Sequence, residues 1–301
     1  MDILKISAKY AWSNSYGLAR TLIALATAIT LIFNSRWVLF KIGPGILDVP
    51  KCDSLGISLF CLLNNNLLLA QILCIGVLLV IASGWRPKYT ALFHWWISYS
   101  FSSSVSIVDG GDHIATILTT LLIPVCLTDE RKWHWKKEPY QMDRNGSSIT
   151  IRIKSIIAQL TIVAIQVQIA AIYLHAAIAK ISVTDWTNGT VLYYWFNHPV
   201  FGAPLWLSAL LKPIVSSSYL LTYITWGVML FELCLFSGLF MSKKFKAYFL
   251  TCGISFHFGI FLIHGLFTFF LVMAAALILY LRPLRSFDFA SQQVLLRTGK
   301  Q

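Results

Sequence analysis

The stretch YLHAAIAKISVTDWTNG, Tyr173 to Gly189, closes an apolar run that has no acidic residue, lysine or arginine between Lys154 and Lys180. A helix needs about 20 apolar residues to cross the hydrocarbon core of a bilayer, and the run over 152–180 exceeds that length. The stretch therefore reads as the end of a membrane span, with an ammonium group set where water ends. Its alanines, Ala176 and Ala177, lie one helical turn before Lys180 and leave open space beside it.

The rest of the chain agrees with that reading. Of its 301 residues 57% are hydrophobic and 12% charged, whereas a soluble domain carries about a quarter charged residues. Too few charges remain to build a water-facing surface, so an all-α polytopic membrane bundle is expected. Apolar runs place spans near 17–38, 66–83, 89–108, 113–128, 152–180, 217–240, 246–264 and 266–281, about eight in all. The fourth is short, the fifth is long and tilted, and the last two form a tight hairpin through "IHGLF". The domain reading is a cytoplasmic amphipathic N-terminus over 1–16, a membrane domain over 17–285 and a cytoplasmic tail over 286–301. No cleavable signal peptide is evident in "MDILKISAKYAW".

Charge orients the bundle. With both termini cytoplasmic, 19 of the 24 lysines and arginines fall on the cytoplasmic side, as the positive-inside rule asks. The other 5 are Arg36, Lys41, Lys51, Lys180 and Lys212. The net charge of +12 is then a rim that meets anionic lipid headgroups, and nucleic acid need not be invoked. A multi-pass plasma-membrane protein is expected.

Cys52 and Cys61 share the first outer loop, "GPGILDVPKCDSLGISLFCLLNNN". An oxidising outer face allows them to form a disulfide; two free thiols are the alternative. The remaining cysteines lie within spans, and no zinc-type spacing occurs. No metal site is expected.

The outer face also collects unusual polar residues. In "SIVDGGDHIATIL", Asp109, Asp112 and His113 fall together beside two glycines. Lys180 ends span five, while His257 lies in the outer half of span seven with His264 one heptad further. Ionisable groups inside a membrane are costly and face an interior cavity or a partner. Lys180, His113 and His257 are therefore expected to line one cavity opening to the outer half of the bilayer. Each also has a plainer reading. Lys180 could snorkel to headgroups, His113 could cap a helix, and His257 could be a neutral core histidine. Glu232, placed in the cytoplasmic half of span six, is expected to pair with a basic or amide group such as Arg20 or Gln159. Apolar surroundings lower a lysine pKa, and the resulting neutral amine is a competent base.

These motifs carry a resemblance. "YLHAAIAKISVTDWTNG" resembles the signature of the HTTM domain, the membrane domain of vitamin K-dependent γ-carboxylase and its bacterial relatives. "GDHIATILTTLLIPVC" is similar to that family's Asn-His span start, with Asp112 in place of the asparagine. "FHFGIFLIHGLFTFFLVM" is similar to its late Phe-His helix. The amino-terminal "NSYGLARTLIALATAITLIFN" and "KCDSLGISLFCLL" resemble a narrower branch, the sporulation-delaying-protein B (SdpB) family. The resemblance implies Lys180 as a base and His113 as its hydrogen-bonding assistant. It places His257 near a reduced quinone. Asp109, Asp112, His264 and Trp186 are the further candidate contacts of substrate or cofactor.

The SdpB resemblance further implies a role in maturing a secreted antimicrobial peptide. The partners it implies are a small SdpA-type protein and the toxin-precursor peptide. The alternatives are a quinone-dependent enzyme with a non-peptide substrate, or a non-catalytic immunity, export or scaffold protein.

Overall fold

A computed structural model describes residues 12–40, 50–52, 56–136 and 149–282. Most of the expected N-terminal segment 1–16, and the whole of the expected tail 286–301, lie outside the described residues. Among the described residues the regular structure is helical, apart from one antiparallel bridge between Trp85 and Trp133.

The helices are α1 (Asn14–Phe33), α2 (Arg36–Phe40), α3 (Leu59–Leu62), α4 (Leu67–Ser83), α5 (Pro87–Ser104), α6 (Gly110–Leu127) and α7 (Ile149–Ile181). They continue as α8 (Thr184–Thr187), α9 (Val191–Phe196), α10 (Leu205–Val215), α11 (Ser218–Phe236), α12 (Lys243–His264) and α13 (Phe267–Leu281). All eight expected spans appear as helices. Six of them, α1, α4, α6, α7, α11 and α12, are long and apolar enough to cross a membrane. The other two are α5, diluted by serines and His94, and α13, which has 15 residues.

α7, at 33 residues, is about 50 Å long at 1.5 Å per residue. That is well beyond the roughly 30 Å hydrocarbon core. The expected hairpin is also present: α12 ends at Gly265, whose φ of +72° reverses the chain before α13 begins. The sequence reading had no structure between spans five and six. There the chain forms a strap of three short helices, α8 to α10, each too short to span.

The packing has a physical logic suited to lipid. Without water to drive helices together, contact between backbones supplies the association energy, and small residues permit it. α13 is buried along Val272–Leu281 and packs against α1, α6, α7 and α12. Ala19, Ala24, Ala26 and Ala28 of α1 and Ala274, Ala275 and Ala276 of α13 are all buried. Leu68, Ile72, Leu79, Leu92, Phe93, Leu160 and Val163 are exposed, an arrangement that serves as a lipid-facing surface. A second apolar cluster joins the far half of α1 to α2, α3, α4 and α5. Beside it, Cys52 and Cys61 form a disulfide with Cα atoms 5.8 Å apart.

At the end of the bundle where α1 begins, residues 129–135 fold back as a plug. The His134 amide donates to the Gly84 carbonyl at 3.0 Å and the Arg86 amide to the Lys132 carbonyl at 2.8 Å. His134 is fully buried. Gly84 closes α4 with φ +88°, and a Cβ there would stand 2.5 Å from the His134 ring. Asp129 accepts from Arg131 Nη2 at 2.8 Å and also from the Tyr16 hydroxyl.

Candidate functional site

Lys180 sits in the last turn of α7, yet its side chain does not reach outward. Helix geometry tilts each Cα–Cβ bond toward the helix N-terminus, and here the chain follows that direction back into the bundle. Its Nζ donates to the Ala176 carbonyl at 3.2 Å and to both carboxylate oxygens of Glu232 at 2.8 Å. An ammonium has three protons and no acceptor capacity, so these oxygens match its full donor set. The ring of Trp186 lies 5.1 Å from Nζ, a cation–π distance. The Lys180 side chain is 20% exposed and that of Glu232 9%.

Tyr173 lies two turns before Lys180 on the same helix. Its hydroxyl makes a 3.1 Å hydrogen bond with His257 Nε2 of α12. Phe256 and Phe269 pack edge-on against the imidazole. The other ring nitrogen, Nδ1, is buried without a partner. His257 is within electrostatic range of Lys180, and Tyr173 of Glu232. α7, α11 and α12 thus bring together Lys180, Glu232, Tyr173 and His257, with Trp186 above them.

The other candidates lie elsewhere. His113 is exposed on the first turn of α6. Asp109 and Asp112 form a capping box: each carboxylate accepts the other's backbone N–H at 3.0 Å, satisfying donors that a helix start leaves free. Phe269 lies between the two regions, touching His257 on one side and Gly111 on the other. His264 Nδ1 bonds the Phe201 carbonyl at 2.7 Å, and its ring meets Trp195 and Phe196, so it ties the strap to α12. A groove of about 520 Å³ runs between α9 and α10, lined by Tyr193, Phe196, Ser208 and Lys212 among others. None of Lys180, His113 and His257 lines it.

Glu232 was expected to find a basic or amide partner inside the bundle, and that partner is Lys180. Arg20 instead donates to the Thr90 hydroxyl, and Gln159 to Ser155. Sequence reasoning missed Tyr173. The available signal was its spacing: Tyr173, Ala177 and Lys180 share one face of α7, and an aromatic hydroxyl buried there needs a partner.

An all-α bundle with several bilayer-length helices and a lysine–glutamate pair held among them defines a multi-pass membrane protein with a polar site inside its helical bundle. The HTTM domain model matches residues 146–284, a range that contains the whole Lys180, Glu232, Tyr173 and His257 cluster. The chain is 38% identical to "Uncharacterized protein YitO" of Bacillus subtilis (strain 168) over 278 residues, covering 91% of this chain and 87% of that one. It is 36% identical to "Sporulation-delaying protein SdpB" of the same organism, covering 91% of this chain and 83% of that one. The chain belongs to the SdpB family of HTTM-domain membrane proteins. No solved structure matches it.

Proposed function

We propose that the protein is the SdpB-type membrane component of a pathway that matures a secreted antimicrobial peptide, and that the Lys180–Glu232 pair handles a proton in that step. The observation that carries this reading is the direction of Lys180. A lysine at a span end ordinarily snorkels to headgroups; this one is turned inward, against a carboxylate and within electrostatic range of His257.

The pair has a simple proton balance. Transfer of one proton from the Lys180 ammonium to the Glu232 carboxylate leaves a neutral amine and a neutral acid. The amine is then a base, and the acid holds the proton until it is needed. Family resemblance implies a reduced quinone. The residues present fit such a group chemically, since His257 Nδ1 is a buried polar atom without a partner and aromatic rings wall it. When bound, a reduced quinone supplies an acidic hydroxyl. Tyr173 fixes the ring of His257, Glu232 sets the protonation of Lys180, and Trp186 covers the ammonium.

The location in this reading is the plasma membrane, with both termini cytoplasmic. The partners are the toxin-precursor peptide and a small SdpA-type protein, whose genes should lie beside this one. The test is Lys180→Arg in a strain that secretes the mature peptide. Arginine keeps the charge and the ion pair but does not deprotonate. Maturation should be abolished while the protein remains folded in the membrane. Normal maturation with Lys180→Arg makes the pair structural and returns the protein to the scaffold, immunity or export class. Lost processing of something other than a peptide would point to a quinone-dependent enzyme of different substrate.

A further inference from the structure

At the opposite end of the bundle from Lys180 lies a second polar cluster that the proposed reaction does not use. Arg20 of α1 is the largest fully buried side chain among the described residues, with no exposed surface. Only its Nη2 has a partner, the Thr90 hydroxyl at 2.5 Å; Nε and Nη1 have none. Among the described residues Arg20 forms no ion pair. The nearby carboxylate, Asp129, is already held by Arg131 and Tyr16.

Arg20 meets a polar stripe of α5 at Thr90, whose hydroxyl proton already goes to the Trp85 and Arg86 carbonyls. Thr90, His94 and Ser98 are spaced four apart, which stacks them on one helix face, and all three are buried. His94 and Ser98 are each 2% exposed, and His94 Nε2 and Ser98 Oγ have no partner. His94 lies within electrostatic range of Arg20 and of His134. The His134 Nδ1 is buried and unpartnered as well.

A guanidinium offers donors only, so its free N–H groups require an acceptor. The imidazole of His94 nearby can turn an N–H donor toward the same point. A lone ion taken from water carries a desolvation penalty of the same order as the stability of a whole fold. Water could satisfy these hydrogen bonds but would not neutralise the charge. Enclosure restricts the size of what enters, and a single positive charge calls for a single negative one.

We propose that Arg20 of α1, with the imidazole of His94 of α5 beside it, binds one small monovalent anion of halide size inside the bundle. Chloride and a small carboxylate share the required chemistry, a compact acceptor with one charge; enclosure favours chloride. The plug closes this site toward the end where α1 begins, because His134 fills the space against Gly17 and Gly84.

The test uses the full chain purified in detergent. Thermal unfolding is followed by tryptophan fluorescence in gluconate buffer with increasing chloride, bromide or formate, and retained chloride is measured by ion chromatography after unfolding in chloride-free buffer. The expected result is a saturable rise in midpoint of about 5 °C with the halides, as for a ligand that binds only the folded state, or about one retained chloride per chain if exchange is slow. Formate acting as well as chloride would move the assignment to a carboxylate. Arg20→Met should remove both the anion dependence and the retained ion. Should that variant fail to fold, His94→Leu, which keeps the guanidinium, should need a higher halide concentration for the same rise. The proposal is overturned if the wild-type protein shows neither anion dependence nor a retained anion, the result that water alone would give. It is equally overturned if Arg20→Met keeps the response.

Discussion

Replacing Lys180 by methionine keeps the length of the side chain and removes its charge. The Glu232 carboxylate, 9% exposed, is then left without the ammonium that meets both of its oxygens at 2.8 Å. Breaking a buried pair by removing one partner costs about 3–5 kcal/mol. The Lys180 side chain is 20% exposed, so the lower end applies, about 3 kcal/mol. At roughly 2–4 °C per kcal/mol for a chain of this size, the midpoint should fall by about 6–12 °C. Glu232→Gln should cost a similar amount, because the ammonium then faces a neutral amide. The double variant Lys180→Met, Glu232→Gln removes both charges and should be little worse than either single one. The cycle, read by thermal unfolding in one detergent at fixed pH, should give a coupling of at least about 1.5 kcal/mol. Additive losses, or a Lys180→Met midpoint within about 2 °C of wild type, would refute the reasoning. Lys180 would then be solvated, and its inward direction would have no energetic meaning.

Three other outcomes are expected. Burial, with the charges of Arg20 and Arg131 adding to it, pushes the His134 imidazole down from 6.5 to about 3. The unfolded chain therefore binds a proton that the folded one refuses between those values. Stability should fall as pH drops through that window, by about 1.4 kcal/mol per unit, and His134→Asn should flatten the slope; an unchanged slope would locate the titrating group elsewhere. Gly84→Ala should destabilise the plug by more than about 2 kcal/mol, since left-handed φ alone costs about 1–2 and the added Cβ meets His134 at 2.5 Å; hydrogen exchange at 129–135 within a few tenths of wild-type protection would contradict it. Reporter fusions at Lys136 and Thr187 should mark opposite faces, cytoplasmic and external, and the same face for both would remove the odd number of crossings between them.

The spans were legible because bilayer length is a strong filter: about 20 apolar residues is a run that chance seldom supplies. Lys180 was legible for the reverse reason, as a charge that interrupts such a run. Its partner was not. Counting depth by residue number put Glu232 in one half of the membrane and Lys180 at the other edge. The count ignored how far a lysine reaches back along its own helix toward Ala176. It also ignored that α7 is much longer than the membrane, so position along it is a poor measure of depth. Asp109, Asp112 and His113 looked like one cluster because they are adjacent in sequence. The capping box sends the two aspartates to the backbone and leaves His113 exposed, and only the local φ/ψ of a helix start decides that. The strap was invisible because α8, α9 and α10 are each shorter than a span. The setting of Arg20 could not be read either, since its having no ion pair among the described residues is a fact about space.

The length of α7 has one more consequence. A rod that overhangs the slab it crosses has its height only loosely set by hydrophobic matching. Sliding it by one residue moves it about 1.5 Å and turns it about 100°, enough to swing the Lys180 ammonium off the Glu232 carboxylate. The pair is therefore a detent: it clicks shut at one vertical position and one rotation of α7. At the other end Lys154 meets Glu130, an exposed pair that gives a second, weaker stop. A protein that grips the overhanging turns near Ile149 holds a lever whose far tip is the Lys180 ammonium.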